Sequence, residues 1–269
     1  MAHSPILRRI HVNVPFCMLS ENYLGFVLEH QINPEIGLDA RALDTVDLSV
    51  FSKCAETLSE NAAAITFHGP FADLSPGSVD PEIRATSRRR FEQVLRLVPL
   101  FRPKTVVCHA GYEEFRYGYM KNEWIDNSLE MWLWLSRRLT AAGALLVLEN
   151  VFESSPNDLL PLFEVLGSEG VGFCFDVGHC SAFSRTPLET WLDVLGPYIH
   201  QLHLHDNHGD ADSHLPLGRG NIDFDTLFDY LGQGEGMRPL ITLEPHVDED
   251  LWPSLSYLEA HWPWDKESA

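Results

Sequence analysis

The sequence has few basic residues, no long apolar run and little cysteine. Its 19 Lys and Arg stand against 39 Asp and Glu, a formal net charge of −20, which disfavours DNA because nucleic-acid affinity comes largely from basic side chains. No run of 18 apolar residues appears, and the first residues lack the basic-then-apolar order of a signal peptide. Five cysteines, an odd number, argue against a disulfide framework. We therefore expect a cytoplasmic protein without a membrane partner.

Short apolar or β-branched runs alternate with longer segments whose apolar residues recur every three or four positions, as in strands and amphipathic helices. Strands are predicted at residues 9–14, 34–38, 64–68, 105–109, 144–149, 171–176, 199–203 and 240–244. Helices are predicted at residues 19–30, 49–60, 81–100, 123–142, 156–166, 187–195, 224–232 and 250–257. No linker divides the chain, so we expect one domain over residues 1–269. Eight strand–helix units favour a single (β/α)8 TIM barrel, with an open doubly wound sheet as the alternative.

Most of the predicted strands end on histidine or an acidic residue. In a (β/α)8 barrel the carboxyl ends of the strands build the active site, so these side chains should meet at one mouth. They are His68, His109, Glu149, Asp176, His203 and Glu244. Carboxylates this close cannot all stay ionised without protons or a cation. Imidazole with carboxylate suits zinc, and also manganese, iron, cobalt or nickel, so the sequence predicts a divalent-metal centre.

Two further spacings add candidate ligands. Asp176-Val-Gly-His179 places His179 one turn beyond a strand end, and Asp212-Ser-His214 lies in the long loop after His203. Glycine and proline in that loop allow tight turns that bring side chains back over the mouth.

As an ordered set, these motifs resemble the xylose isomerase-like superfamily of (β/α)8 barrels, which includes endonuclease IV, ketose epimerases and sugar phosphate isomerase/epimerase homologues. The resemblance covers nearly the whole chain. The motifs are His68-Gly-Pro-Phe, Val-Cys-His109-Ala-Gly-Tyr, Leu-Glu149-Asn, Cys-Phe-Asp176-Val-Gly-His179, Leu-His203-Leu-His-Asp-Asn, Asp212-Ser-His214-Leu-Pro-Leu-Gly-Arg-Gly-Asn-Ile-Asp and Leu-Glu244-Pro.

The isomerase and epimerase branch implies one divalent metal on Glu149, Asp176, His203 and Glu244. The two glutamates would also act as acid and base on opposite faces of the sugar, and the metal would stabilise the enediolate. His179 would bind a substrate oxygen. Our first expectation is therefore an isomerase or epimerase that acts on a sugar or sugar phosphate.

Endonuclease IV implies a second expectation, a phosphodiester hydrolase with up to three zinc ions and an activated water. Its nine ligands carry over to His68, His109, Glu149, Asp176, His179, His203, Asp212, His214 and Glu244. The net charge and a loop after His68 without basic residues oppose a grip on DNA, so this hypothesis predicts a small, non-DNA substrate. A third expectation is a catalytically silent barrel that binds metal or a small molecule.

Candidate substrate contacts lie near the same mouth. Tyr112 and Arg116 follow the fourth predicted strand, where aromatic residues could instead pack against the next helix. Arg219 lies at a position where both the isomerase and epimerase homologues and endonuclease IV more often carry glutamate. Its side chain could bind a substrate phosphate or carboxylate, or pair with a neighbouring acid. His205 shares a strand face with His203 by the period of two. The outward helices could support a homodimer.

Overall fold

The computed structural model describes residues 5–233 and 238–264, and in these the strands close into a parallel eight-stranded barrel. Each strand pairs with the next, and β1 closes on β8 through the register pairs His11–Thr242 and Val12–Leu243. The strands are β1 His11–Pro15, β2 Asn33–Gly37, β3 Thr66–His68, β4 Thr105–His109, β5 Leu145–Glu149, β6 Gly172–Asp176, β7 Ile199–Leu204 and β8 Leu240–Leu243. The predicted (β/α)8 TIM barrel is confirmed, and the open sheet is wrong.

Helices cover the outside of the barrel. They are α1 Phe16–Met18, α2 Leu24–His30, α3 Ala40–Thr45, α4 Leu48–Glu60, α5 Pro81–Phe101, α6 Glu114–Tyr117, α7 Lys121–Ala141, α8 Leu160–Leu166, α9 Val177–Phe183, α10 Leu188–Leu195, α11 Phe224–Gln233 and α12 Leu251–Ala260. Two short ones, α6 and α9, lie at the carboxyl-terminal mouth of the barrel. Within residues 5–233 and 238–264, none of the helices combines the length and apolarity needed to cross a bilayer.

Differences from the predicted elements have local causes. The third strand begins at Thr66 rather than residue 64, because the Ala64 N–H is taken by the Asn33 side chain at 2.9 Å. The predicted helix 156–166 is a 3-10 turn followed by α8. Proline lacks an N–H and is tolerated in the first turn of a helix, and Pro161 lies there in α8. The short helices α3, α6 and α9 were not predicted.

Successive side chains of β4 alternate between two apolar regions. Val106 and Cys108 belong to the large core between the barrel and its helices, whereas Val107 packs with Val147 and Cys174 inside the barrel. All five cysteines are free, in agreement with the predicted lack of a disulfide framework.

The other half of the barrel interior is polar. Side chains from β1, β2, β3, β7 and β8 meet there in one hydrogen-bonded network: Asn13, Glu35, Thr66, Gln201 and Thr242. Inward-facing residues of such barrels are usually branched and apolar. Apolar packing therefore does not explain why this half of the interior is polar.

We expect the outer core to supply much of the stability. Phe91 of α5 is 2% exposed and its ring lies 5.4 Å from that of Trp132 on α7. Phe91→Ala should lower the free energy of unfolding by about 3–5 kcal/mol, because it removes buried surface and leaves a cavity. Urea unfolding followed by circular dichroism measures the change.

Phe115→Ala is the matched control, because Phe115 is 100% exposed. Its effect should stay within about 0.5 kcal/mol. Equal losses in the two variants would contradict the packing described for α5 and α7.

Candidate metal centre

The residues predicted at the strand ends meet at the carboxyl-terminal mouth of the barrel. His68, His109, Glu149 and Asp176 are the last residues of β3, β4, β5 and β6. His203 lies one residue before the end of β7, and Glu244 follows β8 directly rather than lying in it.

Glu149 lies at the centre of this cluster and is 1% exposed. Its Oε2 is 3.1 Å from His68 Nε2 and 3.4 Å from His109 Nε2. Its Oε1 is 3.3 Å from His203 Nδ1 and 3.4 Å from His179 Nδ1. The two oxygens of one carboxylate thus face two different groups of imidazoles.

A second group surrounds His203. Its Nδ1 lies 3.3 Å from Glu244 Oε1 and 3.9 Å from Asp176 Oδ2, in addition to the contact with Glu149. The four residues that resemble the single-metal set of the epimerases therefore converge on one point.

A third group forms around Asp212, which comes from the loop after β7. Asp212 Oδ2 is 3.3 Å from His179 Nε2 and 3.2 Å from His214 Nε2. His205 Nε2 completes the group, 3.6 Å from Asp212 Oδ1 and 3.2 Å from Asp176 Oδ1. The structure places His205 among the candidate ligands, whereas the sequence predicted a substrate contact.

Asp206 holds this loop over the mouth. Its carboxylate accepts the N–H groups of Asn207 and Gly220 at 2.8 Å and of Ile222 at 3.2 Å, and its backbone pairs with Leu215. A Cβ on Gly220 would lie 2.2 Å from the Asn207 carbonyl oxygen, so the close approach requires glycine.

Backbone carbonyls orient three of the imidazoles. In each, Nδ1 donates to a carbonyl oxygen, which leaves the Nε2 lone pair directed at the cluster. The pairs are His68 with Gly69, His179 with Asn150 and His214 with Glu244, each at 3.0 Å.

The residues fit a divalent metal. Asp176 Oδ2, Asp212 Oδ1 and both nitrogens of His205 are buried and make no hydrogen bond within the described ranges. Five sets of three His, Asp or Glu residues have ligand atoms within 4.8 Å of one another. Imidazole nitrogen with carboxylate oxygen suits zinc and the neighbouring transition metals.

Protons balance the charges of the site in the absence of metal. Burial opposes ionisation of Glu149, but the charge of His203 and hydrogen bonds from His179 and His203 outweigh it and hold the pKa of Glu149 well below its usual range. Burial raises the pKa of Glu244. For His179, burial is outweighed by Asp176 and other carboxylates, so its pKa lies well above the usual value. A bound metal would replace such protons.

His109 behaves differently from the other imidazoles. Burial lowers its pKa to about 3, so the ring is neutral and offers a lone pair at neutral pH. The Phe71 ring stacks on it at 4.4 Å between ring centres.

Sequence reasoning missed Glu35, a residue of β2 that is 0% exposed. It forms a hydrogen bond with His203 Nε2 at 2.9 Å on the side away from the mouth. Burial would raise its pKa, but the charge and hydrogen bond of His203 outweigh burial and lower the pKa to about 2. The available signal was a charged residue inside a predicted buried strand, since buried acids almost always have partners.

A cavity of about 960 Å³ lies over the cluster. Phe71 and Phe152 line it and are 52% and 54% exposed, and Phe183 lies beside Phe152 at 5.0 Å between ring centres. Aromatic rings therefore lie in the cavity next to the candidate ligands, since Phe71 stacks on His109 and Phe183 lies 5.9 Å from His179 between ring centres.

The other predicted substrate contacts differ in position. Tyr112 lines the cavity but is 2% exposed and packs on Trp124 at 4.9 Å. Arg116 also lines the cavity and forms an ion pair with Glu113 at 3.3 Å. Arg219 is exposed, lies outside the cavity lining, and forms no ion pair with residues 5–233 or 238–264.

Several known proteins are similar to this chain in sequence. An uncharacterised protein of Methanocaldococcus jannaschii is 29% identical over 168 residues, which cover 60% of this chain and 57% of the relative. A probable endonuclease 4 of Mycobacterium leprae is 23% identical over 183 residues, 64% of this chain and 70% of the relative. The chain thus spans about three fifths of the length of the Methanocaldococcus relative.

Solved structures share the fold over most of their length. A protein of Thermus thermophilus, soaked with ZnCl2, is 28% identical with a TM-score of 0.78, covering 94% of this chain and 97% of its own. A D-tagatose 3-epimerase-like protein reaches the same TM-score of 0.78 and the same coverage, 94% and 97%, at 23% identity.

The family model described as the xylose isomerase-like TIM barrel matches residues 33–263. Because the match spans most of the sequence, the chain belongs to the xylose isomerase-like TIM barrel family.

Proposed function

We propose that this barrel, acting as one domain, is a multi-metal hydrolase that cleaves a phosphodiester in a small sugar-containing molecule. The observation that carries the proposal is the division of Glu149, whose Oε2 faces His68 and His109 while its Oε1 faces His203. A carboxylate shared in this way suits two neighbouring metal ions, a common arrangement in phosphoryl-transfer enzymes.

Three groups of residues would hold the metals: His68, His109 and Glu149; Glu149, Asp176, His203 and Glu244; and His179, Asp212 and His214, with His205 beside them. When bound, the metals supply an activated water near neutral pH and stabilise negative charge on phosphoryl oxygens. The neutral ring of His109 and the Nδ1–H bonds of His68 and His179 to backbone carbonyls leave their other ring nitrogens free to hold a metal.

The cavity supports a small substrate rather than a nucleic acid. Arg90 lines it but is held by Asp44 at 2.6 Å, and Arg116 is paired with Glu113, so neither offers an unpaired cation to a polyanion. The exposed rings of Phe71 and Phe152 suit the apolar face of a ring. The net charge of −20 acts in the same direction.

Sugar isomerisation or epimerisation, the first expectation from the sequence, is the second candidate. It is favoured by the placement of Glu149 and Glu244, each with Oε1 3.3 Å from His203 Nδ1. Two carboxylates beside one metal could remove and return a proton, and the fold of the epimerase-like neighbours supports this chemistry. His68 and His109 would then bind substrate rather than metal.

Metal content separates these candidates. We expect two to three zinc ions per chain by mass spectrometry of zinc-loaded, desalted protein, because three ligand groups are present. Asp212→Asn should lower the count by about one, since Asp212 belongs only to the third group, and removal of metal should lower the melting temperature.

Asp210→Asn is the matched control, an exposed acid of the same loop, and should keep the wild-type count. A single ion per chain in the wild type, unchanged in Asp212→Asn, would contradict the multi-metal site and favour the isomerase.

Activity provides the second test. Zinc-loaded protein should cleave bis(p-nitrophenyl) phosphate, and Glu149→Gln should lower kcat/KM on the order of 100-fold or more, because it removes the shared ligand. Asp210→Asn should retain the wild-type rate. The proposal fails if no diester is cleaved while a ketose takes up solvent deuterium beside its carbonyl group.

A further inference from the structure

The hydrogen bonds around Glu35 define its ionisation and its role. Glu35 is buried on β2 within the polar half of the barrel, below the mouth, and belongs to none of the candidate metal groups found among residues 5–233 and 238–264. Both of its oxygens are surrounded by donors. Oε2 faces Thr66 Oγ1 at 2.9 Å, Thr242 Oγ1 at 3.1 Å and Gln201 Nε2, while Oε1 faces Asn13 Nδ2 at 3.3 Å and His203 Nε2 at 2.9 Å.

The directions of these bonds are fixed by their neighbours. Thr105 Oγ1 donates to the Gln201 carbonyl oxygen at 2.6 Å, which turns the Gln201 amide nitrogen towards Glu35. That nitrogen also donates to Thr242 Oγ1 at 3.1 Å, so the single hydroxyl proton of Thr242 is left for Glu35. Only an ionised carboxylate, which accepts and never donates, satisfies all these groups.

The ionised state of Glu35 also determines which nitrogen of His203 carries a proton. Its Nε2 faces the Glu35 carboxylate and must carry a proton to bond there. With Nε2 bonded to Glu35, Nδ1 is the nitrogen left to coordinate a metal, and it lies 3.3 Å from both Glu149 and Glu244. His68, His179 and His214 are oriented by backbone carbonyls instead and direct Nε2 at the site.

The geometry points to Glu35 as a positioning residue that holds His203 in the Nε2–H form and presents its Nδ1 lone pair to a divalent metal at the mouth. A carboxylate behind a ligand imidazole fixes its orientation and increases its basicity. The polar half of the barrel interior holds Glu35 itself in place. This inference rests on the metal centre of the proposed function.

Zinc affinity, measured by competition with a chromophoric chelator, tests the role of Glu35. Glu35→Gln keeps the size of the side chain but places an amide among groups that all donate. We expect the dissociation constant of the tightest zinc to rise about 10- to 100-fold. Glu153→Gln is the matched control, because Glu153 is a buried acid of the same cavity that accepts the N–H groups of Val151 and Tyr112. The Glu153→Gln variant should bind zinc with the affinity of the wild type.

The tautomer of His203 provides a readout that a merely structural role would not change. In 15N spectra of the zinc-loaded wild type, with the His203 signals assigned by their loss in His203→Asn, Nε2 should carry the proton. In Glu35→Gln, a smaller fraction of His203 should carry the proton on Nε2. This measurement on the wild type applies even if the variant does not fold.

The outcomes separate the inference from the proposed function. If the wild type binds no zinc, the metal centre fails and the inference fails with it. If the wild type binds zinc but Glu35→Gln binds it equally well, or if Nδ1 of wild-type His203 carries the proton, only the role of Glu35 is overturned.

Discussion

Crowding of like charges at the barrel mouth is the constraint on which the rest of the structure depends. Four carboxylates lie among six imidazoles there, with contacts between 3.1 and 3.9 Å. Without metal, raised imidazole pKa values supply the balancing protons, as at His179. In the proposed metal centre, cations would replace these protons. Glu149, Asp176 and Glu244 lie at or next to strand ends, and Asp212 lies in the loop that Asp206 holds over the mouth.

The interior of the barrel has an apolar side and a polar side, and the polar side contacts the charged cluster at the mouth. On one side Val107, Val147 and Cys174 pack as an ordinary barrel core. On the other, hydroxyl and amide groups surround Glu35 and through it contact His203. Buried polar networks are tolerated only when each member finds a partner, and the bonds between Thr105, Gln201 and Glu35 meet that condition. Apolar packing outside the barrel compensates for a polar interior.

The placement of cations matters for the proposed phosphodiester substrate, because the protein as a whole is acidic. The arginines of the cavity are paired with acids, and Arg219 lies outside its lining. Positive charge for the substrate would come from the metals bound by the ligand cluster, not from side chains. In the proposed enzyme, the exposed phenylalanines that line the cavity would contact the substrate beside that charge.

Strand and helix periodicity in the sequence predicted the eight units, and the residues at strand ends predicted which side chains meet, because parallel strands of a closed barrel end at one mouth. Local pattern could mark Glu35 as an acid within a predicted strand but could not reveal its role, since its partners lie on four other strands. Nor could it place His205 or Arg219, because Asp206 folds their loop through hydrogen bonds that depend on tertiary contacts. The sequence by itself determined the barrel and the chemistry of its ligands. Only the tertiary structure decided how those ligands divide between the two oxygens of Glu149, because that division depends on distances between strands that no spacing along the chain encodes.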